Sequence, residues 1–424
     1  MKPLASAEVI AVGSEMLGPD RLDTNSLAIA DRLRALGIPL RAKAVVGDRP
    51  DDLTAILRGA LARSDLIILI GGLGPTDDDV TRDVVASSLE LPLSEDVAIS
   101  DAIRQRFRRR GMTMPEINRR QAMVPEGGTV LPNAHGTAPG LYLEVGEQIV
   151  VLLPGPPREL EPMFDAVVRD HLRARTAGTQ VYTRIVRVFG RSESHAEEAV
   201  RPFYAPWASM ALPIEVTILA ARGAIDLHLT VNAPSEAAAA DGLAAAAGQV
   251  VEAIGDDVYS DNGEAIEQVL ARQITARGWR IGVAESCTGG LIAKRLTDFP
   301  GSSAFVEGGV VSYSNAMKIR LLDVPEPLLA AHGAVSEPVA EAMADGIRAR
   351  SSAEVGIAVT GIAGPDGGTA DKPVGTVVFA VVTPDARVVR TRTYPSFGRE
   401  LVRDVASHAA LDMARRLIAG LRVP

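Results

Sequence analysis

The sequence predicts an α/β protein of three domains: a parallel-sheet domain, a smaller α+β domain and a C-terminal α/β domain of three layers. Over residues 8–173, short apolar runs alternate with amphipathic segments, which is typical of a parallel sheet covered by helices on both faces. The pattern changes near residue 177. A polar, glycine-containing segment at 256–263 then precedes a new series of apolar runs. These observations predict domains at 1–176, 177–255 and 256–424.

Apolar spacing defines the elements of the first domain. Leu53, Leu57 and Leu61 share one helical face, and Pro50 suits the first turn of that helix. The run at 65–70 is continuously apolar after its first residue and predicts a buried strand. By these criteria we predict strands at 8–13, 42–46, 65–70 and 148–153, and helices at 24–36, 50–62, 81–89, 96–110 and 158–173.

The remaining elements follow from the same periodicities. In the middle domain, we predict strands at 181–189, 214–221 and 226–231, the last two flanking a turn at Arg222-Gly223, and helices at 194–203 and 235–254. In the C-terminal domain, we predict strands at 281–284, 306–311, 355–360, 375–382 and 387–393, and helices at 265–277, 291–296, 338–349 and 399–421.

Composition excludes several classes of protein. The net charge is −9 and the pI is near 5.3, whereas general nucleic-acid binders have a basic balance, so we expect no direct nucleic-acid binding. The single cysteine, Cys287, excludes an intrachain disulfide and a cysteine-rich zinc site. No signal-peptide pattern opens the chain, and no apolar run approaches the roughly 20 residues that span a bilayer. We expect a cytoplasmic protein without membrane contacts.

Polar loops follow three of the predicted N-terminal strands. They are GSEMLGPDRLDTN at 13–25, GGLGPTDDDVT at 71–81 and LPGPP at 153–157. Ligands of parallel sheets bind beyond the carboxyl ends of the strands. Glycines allow close approach of a phosphate, and neighbouring aspartates can hold a divalent cation. The same residues also fit a structural role, in which the aspartates cap a helix and the glycines form a turn.

The sequence GVAESCTGG at 282–290 combines a strand, a tight turn and the start of a helix. Ser286, Cys287 and Thr288 place two hydroxyls and a thiol in the turn. We expect unpaired N–H groups at the helix start, where the helix dipole favours negative charge. Such a turn can hold a nucleophile beside donors for an oxyanion or a phosphate. The C-terminal third of the chain is therefore predicted to be an enzyme.

The ordered N-terminal motifs resemble the molybdopterin-binding fold of MoaB and MogA as it occurs in the CinA family. The matching sequences are GSEML, DTN, GGLGPTDDDVT, NRRQAMVP (118–125), GTAPG (136–140) and LLPGPPRE (152–159). The resemblance implies hydrolysis of the ADP-ribose pyrophosphate with a divalent cation at Asp78 and Asp79. It also implies that Gly71, Gly72 and Gly74 line a nucleotide site. The polar loops after the predicted strands add Glu15, Asp23, Asn25 and Thr76 as nucleotide-binding candidates. The order Gly18-Pro19 departs from the family pattern, which leaves the shape of the first loop open.

A second ordered series resembles the C-terminal domain of the CinA family. The matching sequences are GVAESCTGG, GSS (301–303), GGVVSYSNAMK (308–318), GAVSEP (333–338), TGIAGPDGG (360–368) and PVGT (373–376). The resemblance implies hydrolysis of nicotinamide mononucleotide to nicotinic acid mononucleotide and ammonia, without a cofactor. The middle domain then corresponds to the family's small KH-type domain, although no Gly-x-x-Gly loop is present in that segment.

Amide hydrolysis requires a nucleophile, a base and donors for the developing oxyanion. The resemblance points to Ser286 as the nucleophile. Lys318 would be the base if burial or positive neighbours lower its pKa, and Tyr313 would relay the proton or orient Lys318. Substrate contacts are expected from Thr288, Gly289, Ser303, Thr360, Gly361, Arg399 and Arg403.

Each of these residues also has a non-catalytic interpretation. Ser286 could cap the helix, Lys318 could be a solvated surface residue, and Tyr313 could pack against its strand neighbours. Cys287 is the rival nucleophile, because a thiolate at a helix N-terminus is activated, or else a small buried residue. The joint pattern and the resemblance favour Ser286.

The sequence therefore predicts a bifunctional CinA-like hydrolase of pyridine nucleotide salvage, acting as a homodimer on nicotinamide mononucleotide and ADP-ribose. Two alternatives stay open: a partner protein in competence or DNA damage, and a molybdopterin-binding protein. Salt-sensitive DNA binding would favour the first alternative, and copurifying pterin fluorescence would favour the second.

Overall fold

In a computed structural model, the chain forms two compact units. The structure describes residues 3–176, 178–221, 223–394 and 398–424. One unit comprises Met1–Tyr182 and Asn232–Ala238, and the other comprises Thr183–Val231 and Ala239–Pro424. The middle segment thus shares its unit with the C-terminal segment, and the division into three domains stays a prediction. Arg222 of the predicted turn lies outside the described residues.

The first unit is built on a six-stranded sheet. The strands of this unit, including two outside that sheet, are β1 (Ala7–Val12), β2 (Leu40–Val46), β3 (Leu66–Ile70), β4 (Leu93–Glu95), β5 (Met123–Pro125), β6 (Thr129–Leu131), β7 (Gly140–Val145) and β8 (Gln148–Leu153). Its helices are α1 (Asn25–Ala35), α2 (Pro50–Leu61), α3 (Thr81–Ser88), α4 (Val97–Arg109) and α5 (Pro157–Val167). The sheet order is β2-β1-β3-β8-β7-β6, with β1, β2, β3 and β8 parallel.

The parallel strands confirm the predicted fold class, but four short strands were missed. β7 is antiparallel to β8 and to β6, and β4 pairs with β5 in a separate two-stranded sheet. The glycine and proline at the end of the GTAPG motif obscured the start of β7, which begins at Gly140. The predicted helix at 158–173 ends earlier as an α-helix and continues as a π-helical turn, Val168–Leu172.

Strand β3 lies in the interior of the sheet and is buried along its whole length. On one face, Ile68 belongs to an apolar cluster with Leu33 and Phe164, and on the other face, Leu69 belongs to a cluster with Leu57. Burying each such side chain contributes roughly 1.5–3 kcal/mol. The parallel strands are therefore fixed from both faces, and the polar loops at their carboxyl ends share one edge.

The remaining elements form two further sheets. The strands are β9 (Gln180–Phe189), β10 (Ile214–Ala221), β11 (Ala224–Ala233), β12 (Val258–Ser260), β13 (Ile281–Glu285), β14 (Val306–Val311), β15 (Val355–Gly361), β16 (Thr376–Val382) and β17 (Arg387–Thr393). The helices are α6 (Glu193–Val200), α7 (Tyr204–Ala208), α8 (Glu236–Ile254), α9 (Ile266–Ala276), α10 (Leu291–Thr297), α11 (Asn315–Leu322), α12 (Glu326–His332), α13 (Glu337–Ser351) and α14 (Arg399–Ala419). The sheet orders are β10-β11-β9-β12 and β14-β13-β15-β16-β17.

The long helix α8 carries a stripe of buried residues at helical spacing, namely Ala239, Leu243, Ala246, Ala247, Val250 and Ile254. Within the described part of the chain, Glu236–Asp257 is the one helical stretch long and apolar enough to cross a membrane by length and composition. The core helix of a soluble protein passes the same test, so this is weak evidence for a membrane span. The expectation that no apolar run approaches membrane-spanning length does not hold for this stretch.

The C-terminal sheet is the middle layer of three, as predicted. β13, β14 and β15 run parallel, so Glu285 is level with Val311 and Val359 at their carboxyl ends. Helices α9, α10 and α14 contribute to the apolar cluster on one face, and α11, α12 and α13 contribute to the cluster on the other. The short helices α11 and α12 were not predicted, because seven or eight residues give little periodic signal.

Candidate active site

The C-terminal candidate site lies where three parallel strands end. Ser286 follows β13, Ser312 follows β14, and Thr360 lies near the end of β15. The Ser286 N–H donates to the Val359 carbonyl at 2.9 Å. The Ser312 N–H donates to the Glu285 carbonyl at 2.8 Å. The sheet therefore brings together polar residues that are far apart in the sequence.

A buried lysine contacts the predicted nucleophile. The Lys318 ammonium nitrogen lies 3.1 Å from the Ser286 hydroxyl oxygen, and it donates to the Ser312 carbonyl at 2.7 Å. Lys318 is 1 % exposed and Ser286 is 8 % exposed. Burial lowers the pKa of Lys318 to about 8, because the charged form loses its hydration. Near pH 8 much of this lysine is neutral, as a general base must be.

Helix α11 explains why Lys318 reaches the strand ends. Ser314 caps this helix, and its hydroxyl accepts a hydrogen bond from the Met317 N–H at 3.3 Å. The cap turns the chain immediately after β14, so the side chain of Lys318 points back toward its own strand. The solvated-lysine interpretation is therefore wrong.

Cys287 lies beside the nucleophile but belongs to the apolar core. Its side chain is 5 % exposed, and it belongs to the cluster formed by β13, β15, α9 and α14. Burial raises the pKa of its thiol to about 12. The thiolate needed for nucleophilic attack is scarce near neutral pH, so the structure favours the interpretation of Cys287 as a small buried residue.

The start of α10 differs from the expectation of unpaired N–H groups. The carboxylate of Glu285 accepts hydrogen bonds of 3.0, 3.1 and 2.9 Å from the N–H groups of Gly290, Ile292 and Ala293. The expectation was wrong because the last residue of β13 already supplies the negative charge there. Among the described residues, the Cys287 and Thr288 N–H groups donate to no backbone carbonyl, and hydrogen bonds from both act on the Cys287 thiol, a weak acceptor that an oxyanion formed at Ser286 can displace.

Thr288, Gly289 and Arg403 lie together, as predicted. Arg403 donates from Nη2 to the Thr288 carbonyl at 2.8 Å. Gly289 has φ +60°, and a Cβ at this position would lie 3.3 Å from the same Nη2. The Thr288 hydroxyl and the Arg403 Nε are buried without a hydrogen-bond partner in the described structure. Unpaired buried polar groups are costly, so these atoms suit contacts that a substrate would complete.

Tyr313 does not orient Lys318. Its side chain is 60 % exposed, and its hydroxyl accepts from Arg399 Nη2 at 2.9 Å. A second nitrogen of Arg399 donates to the Gly364 carbonyl at 2.8 Å. The Ser312 carbonyl orients Lys318 instead. The expectation that Tyr313 orients Lys318 is corrected, whereas its role as a proton relay stays a prediction.

The end of β15 contributes Thr360 and Gly361 to the same edge of the sheet. The Thr360 hydroxyl donates to the Ala334 carbonyl at 2.9 Å, so this side chain braces the loop before α13. Gly361 lies so close to β16 that a Cβ would be 2.8 Å from the Thr376 carbonyl. Both residues border the site, and the hydroxyl of Thr360 is already bonded.

Ser303 lies at the other end of the sheet. It precedes β14, whereas Ser286 follows β13, and the parallel register pairs Ile281 with Val306 at the amino ends of these strands. Ser303 is therefore separated from Ser286 of the same chain by the length of a strand. The prediction that Ser303 belongs to the Ser286 site within one chain is wrong.

Ser312 is a residue of this candidate site that was not predicted from the sequence. It is fully buried and its carbonyl accepts from Lys318. The residue lies inside the quoted motif GGVVSYSNAMK, between the predicted strand and Lys318. The available signal in the sequence was a polar residue directly after an apolar strand, in the same motif as Lys318.

The first unit contains a cavity of about 950 Å³ at the carboxyl ends of β1, β3 and β8. Predicted site residues line it, namely Glu15, Asp23, Asn25, Gly71, Gly72, Gly74, Asp78 and Asp79. Thr76 does not line the cavity, and its hydroxyl donates to the Asp79 carboxylate at 2.5 Å. The volume is at the upper end of small-molecule sites, which measure about 300–1,000 Å³.

Backbone geometry explains the glycines of this cavity. Gly71 and Gly72 have φ +95° and +64°. A Cβ on Gly71 would clash with the Val12 carbonyl at the end of β1. Asn25 donates from its amide nitrogen to the Gly155 carbonyl at 2.7 Å, which ties the loops after β1 and β8 together. The glycines and Asn25 therefore define the floor between three strand ends.

The aspartates of this cavity divide into two roles. Asp79 accepts from the Gly74 N–H at 2.8 Å and the Thr76 N–H at 2.9 Å, so it braces its own loop. Asp78 is exposed and lines the cavity. Over the described ranges, no group of three or more His, Cys, Asp or Glu is placed to hold a metal ion. These donors fit a cation whose remaining ligands are substrate phosphate and water, which is common for Mg²⁺.

Basic side chains that the sequence did not single out also line the cavity. They are Arg21, Arg106, Arg110, His135 and Arg158. Arg106 lies on α4, and it donates to the Gly136 carbonyl at 2.7 Å. A cavity lined by both arginines and carboxylates suits a ligand that carries phosphates and a cation. For Arg106 and the adjoining Arg110, the basic composition of the predicted helix at 96–110 was the available signal.

Known proteins are similar to both halves of the chain. The family model described as "CinA C-terminal domain" matches residues 263–418, and that described as "Probable molybdopterin binding domain" matches residues 8–174. CinA-like proteins of Koribacter versatilis and Acidobacterium capsulatum are each 42 % identical over 97 % of this chain and 99 % of their own. The crystal structure of competence/damage inducible protein CihA from Agrobacterium tumefaciens is 44 % identical, covers 36 % of this chain and 94 % of that chain, and has a TM-score of 0.34. The chain belongs to the CinA family, with a molybdopterin-binding-type domain before the CinA C-terminal domain.

Proposed function

We propose that the C-terminal site hydrolyses the carboxamide of nicotinamide mononucleotide to nicotinic acid mononucleotide and ammonia. The contact between Lys318 and Ser286 carries this proposal, because a buried lysine of lowered pKa beside a serine is a base–nucleophile pair. The resemblance to the CinA C-terminal domain supports the choice of substrate.

The chemistry follows from the atoms at the site. Neutral Lys318 accepts the Ser286 hydroxyl proton while the Ser286 oxygen bonds to the carboxamide carbon. The N–H groups of Cys287 and Thr288 then stabilise the negative oxygen. Protonated Lys318 returns the proton to the leaving nitrogen, which departs as ammonia and leaves an acyl ester on Ser286. A water that Lys318 deprotonates hydrolyses this ester and restores the serine.

The nucleotide part of the substrate would lie toward the start of α14. Arg399 and Arg403 are four residues apart on this helix and contact the turn and strand ends through their guanidinium groups. Thr288, Gly289, Thr360 and Gly361 surround the same edge. Guanidinium groups suit the monophosphate, because they bind its oxygens with two donors at once.

Ammonia release from nicotinamide mononucleotide by the purified full-length chain tests this function. We expect release by the wild type, none above background for Ser286→Ala, and near wild-type release for Cys287→Ala. Loss of activity in Cys287→Ala with retention in Ser286→Ala would reverse the assignment of the nucleophile. No release by the wild type would refute the proposed substrate.

We propose further that the N-terminal cavity hydrolyses the pyrophosphate of ADP-ribose with a divalent cation. The combination of carboxylates and arginines around one cavity of about 950 Å³ supports this activity. Asp78 and the free electron pairs of Asp79 would hold the cation, which when bound neutralises phosphate charge. The arginines would orient the phosphates, and Gly71, Gly72 and Gly74 would let them approach the backbone.

Release of AMP from ADP-ribose, with and without added Mg²⁺ or Mn²⁺, tests the second activity. We expect metal-stimulated release that Asp79→Ala abolishes. Unchanged release by Asp79→Ala would contradict the assignment. If the protein is inactive on ADP-ribose and copurifies with pterin fluorescence, the cavity is instead a molybdopterin site. Salt-sensitive DNA binding would support the role of a partner in competence or DNA damage.

A further inference from the structure

Glu285 is a buried carboxylate that has no chemical step in the proposed reaction. Its side chain is 1 % exposed, and no ion pair to it is found among the described residues. A buried carboxylate without a cation is costly unless several donors compensate its charge. This costly group lies one residue before the nucleophile, so its burial needs an explanation in the geometry of the site.

The donors that compensate Glu285 all belong to the start of α10. One carboxylate oxygen, Oε2, accepts from the Gly290 and Ile292 N–H groups, and the other, Oε1, accepts from the Ala293 N–H. A side chain at the end of β13 therefore fixes the first turn of the next helix through three hydrogen bonds. The four residues between them, 286–289, form a closed turn whose two ends are fixed to each other.

The backbone of Glu285 holds the base as well. Its carbonyl accepts from the Ser312 N–H at 2.8 Å, and the Ser312 carbonyl accepts from Lys318 at 2.7 Å. Lys318 in turn lies 3.1 Å from the Ser286 hydroxyl. These contacts form a ring that begins and ends at neighbouring residues, Glu285 and Ser286.

The Ser286 backbone is held by β15 independently of the carboxylate, because its N–H donates to Val359. The part of the turn that depends on the Glu285 side chain is the part that follows Ser286. It contains the Cys287 and Thr288 N–H groups, whose acceptor here is the weakly accepting Cys287 sulfur and which we assign to the oxyanion. The Gly289 N–H donates to the Ser286 carbonyl at 3.1 Å and Arg403 donates to the Thr288 carbonyl at 2.8 Å, so these contacts hold the middle of the turn while Glu285 fixes its far end.

We propose that Glu285 is a positioning residue, whose carboxylate occupies the start of α10 and thereby aims the Cys287 and Thr288 N–H groups at the oxyanion formed on Ser286. This inference rests on the proposed amide hydrolysis. It also removes the start of α10 as a site for the substrate phosphate, because its N–H groups are already bonded to a carboxylate. The phosphate is then left to Arg399 and Arg403.

The test is Glu285→Gln in the full chain. Glutamine has the same size, but its NH₂ group faces N–H donors and cannot accept from them. Removal of one oxyanion donor typically lowers kcat about 10²–10³-fold, and Glu285→Gln displaces the donors without removing them, so we expect kcat to fall by a smaller factor of about 10- to 100-fold. We expect KM for nicotinamide mononucleotide to change less than about threefold, because the donors act mainly in the transition state.

A second measurement uses pyridine-3-boronic acid, which adds to the serine oxygen as a tetrahedral anion. We expect its Kd to rise in Glu285→Gln by the same factor by which kcat falls. The control is Glu267→Gln, which removes another largely buried carboxylate, paired with Arg295 on the same face of the sheet. We expect this control to lower the unfolding temperature without changing kcat or the boronate Kd.

Each outcome decides the proposal. Parallel losses in kcat and boronate affinity support it, and unchanged values in folded Glu285→Gln overturn it. A rise in KM alone also overturns it, because Glu285 would then act on substrate binding. If Glu285→Gln does not fold, Glu285→Asp keeps the charge but shortens the reach, and the same paired loss is expected. Boronate binding without ammonia release by the wild type would reject the proposed substrate and leave the Glu285 comparison intact.

Discussion

The two candidate sites differ in how much of their chemistry is assembled before a ligand binds. At the C-terminal site, Lys318 and Ser286 are buried and already 3.1 Å apart. At the N-terminal site, a cavity of about 950 Å³ is lined by carboxylates and arginines, and Asp79 bonds to its own loop. At the first site the reacting groups are in contact, whereas the second site is an open cavity lined by charged side chains.

Burial accounts for this difference. Removing Lys318 from water lowers its pKa, and the Ser312 carbonyl holds its nitrogen in place, so the base is prepared without a ligand. Exposed carboxylates such as Asp78 stay charged and hydrated, and they gain fixed geometry when a cation and phosphates bridge them. The following experiments test whether the buried groups of the C-terminal site suffice for its reaction and whether the N-terminal site requires a bound cation.

The largest effect is expected for Lys318→Met. Methionine keeps the apolar length of the side chain but cannot accept a proton, and loss of a general base typically lowers the rate about 10²–10⁴-fold. We expect kcat for nicotinamide mononucleotide to fall by about that factor. Lys294→Met is the matched control, because Lys294 is an exposed lysine that pairs with Asp298. Equal activity of the two variants would show that the C-terminal site does not use the buried pair of Lys318 and Ser286. That result would contradict the contrast drawn between the two sites.

The pH dependence of the rate is a second test of Lys318 as the general base. If neutral Lys318 is the base, kcat/KM rises about tenfold per pH unit below pH 8 and levels off above it. The reason is that the pKa of this lysine is about 8 in the folded protein, so the fraction of free base grows up to that pH. A profile that is flat between pH 6 and 8 would contradict this assignment.

Unfolding provides a check that needs no substrate. The pKa of Lys318 is about 8 when folded and about 10.5 when unfolded, so between these values the unfolded chain binds more protons. Stability from this group is therefore greatest above pH 10.5, rises with pH from 8 to 10.5, and is lost as pH falls through 8. The full change is about 3 kcal/mol. The difference between wild type and Lys318→Met, measured by denaturant unfolding, should follow this curve.

Much of this arrangement follows from local sequence patterns. The bounds of β8, β14 and β17 are those predicted, because apolar periodicity is a property of adjacent residues. The polar loops after the strands, together with the family resemblance, also identified eight residues that line one cavity. Parallel strands end at the same edge of a sheet, so loops after successive strands converge without any knowledge of distant contacts.

The features that could not be predicted depend on contacts between distant residues. The burial of Lys318 follows from α11, a helix of eight residues with little periodic signal. The Glu285 carboxylate was hidden in an apolar strand pattern, and its partners lie on the next helix. Ser303 was misplaced for a different reason, because it was chosen from its motif although it precedes the predicted strand at 306–311, which in a parallel sheet puts it at the opposite end from Ser286.

A smaller effect is expected when the aspartates of the N-terminal cavity are compared. Asp78→Asn should raise the Mg²⁺ concentration needed for AMP release about 3- to 30-fold and leave the unfolding temperature unchanged, because Asp78 is exposed. Asp79→Asn should lower both activity and unfolding temperature, because Asp79 braces the loop through Gly74 and Thr76. Calorimetry and AMP release measure the two quantities. If AMP release by the wild type does not depend on added metal, the N-terminal site does not require a cation, and the proposed contrast with the C-terminal site is contradicted.

The smallest effect is expected for Tyr313→Phe at the C-terminal site. The Tyr313 hydroxyl accepts from Arg399 at the surface, and one such hydrogen bond contributes about 0.5–1.5 kcal/mol. If Tyr313 only orients Arg399 toward the phosphate, KM rises about 2- to 10-fold and kcat is unchanged. If Tyr313 relays the proton, kcat falls about 100-fold instead. The second result would show that the C-terminal dyad is incomplete without an exposed residue, and that the site is less self-sufficient than its buried pair indicates.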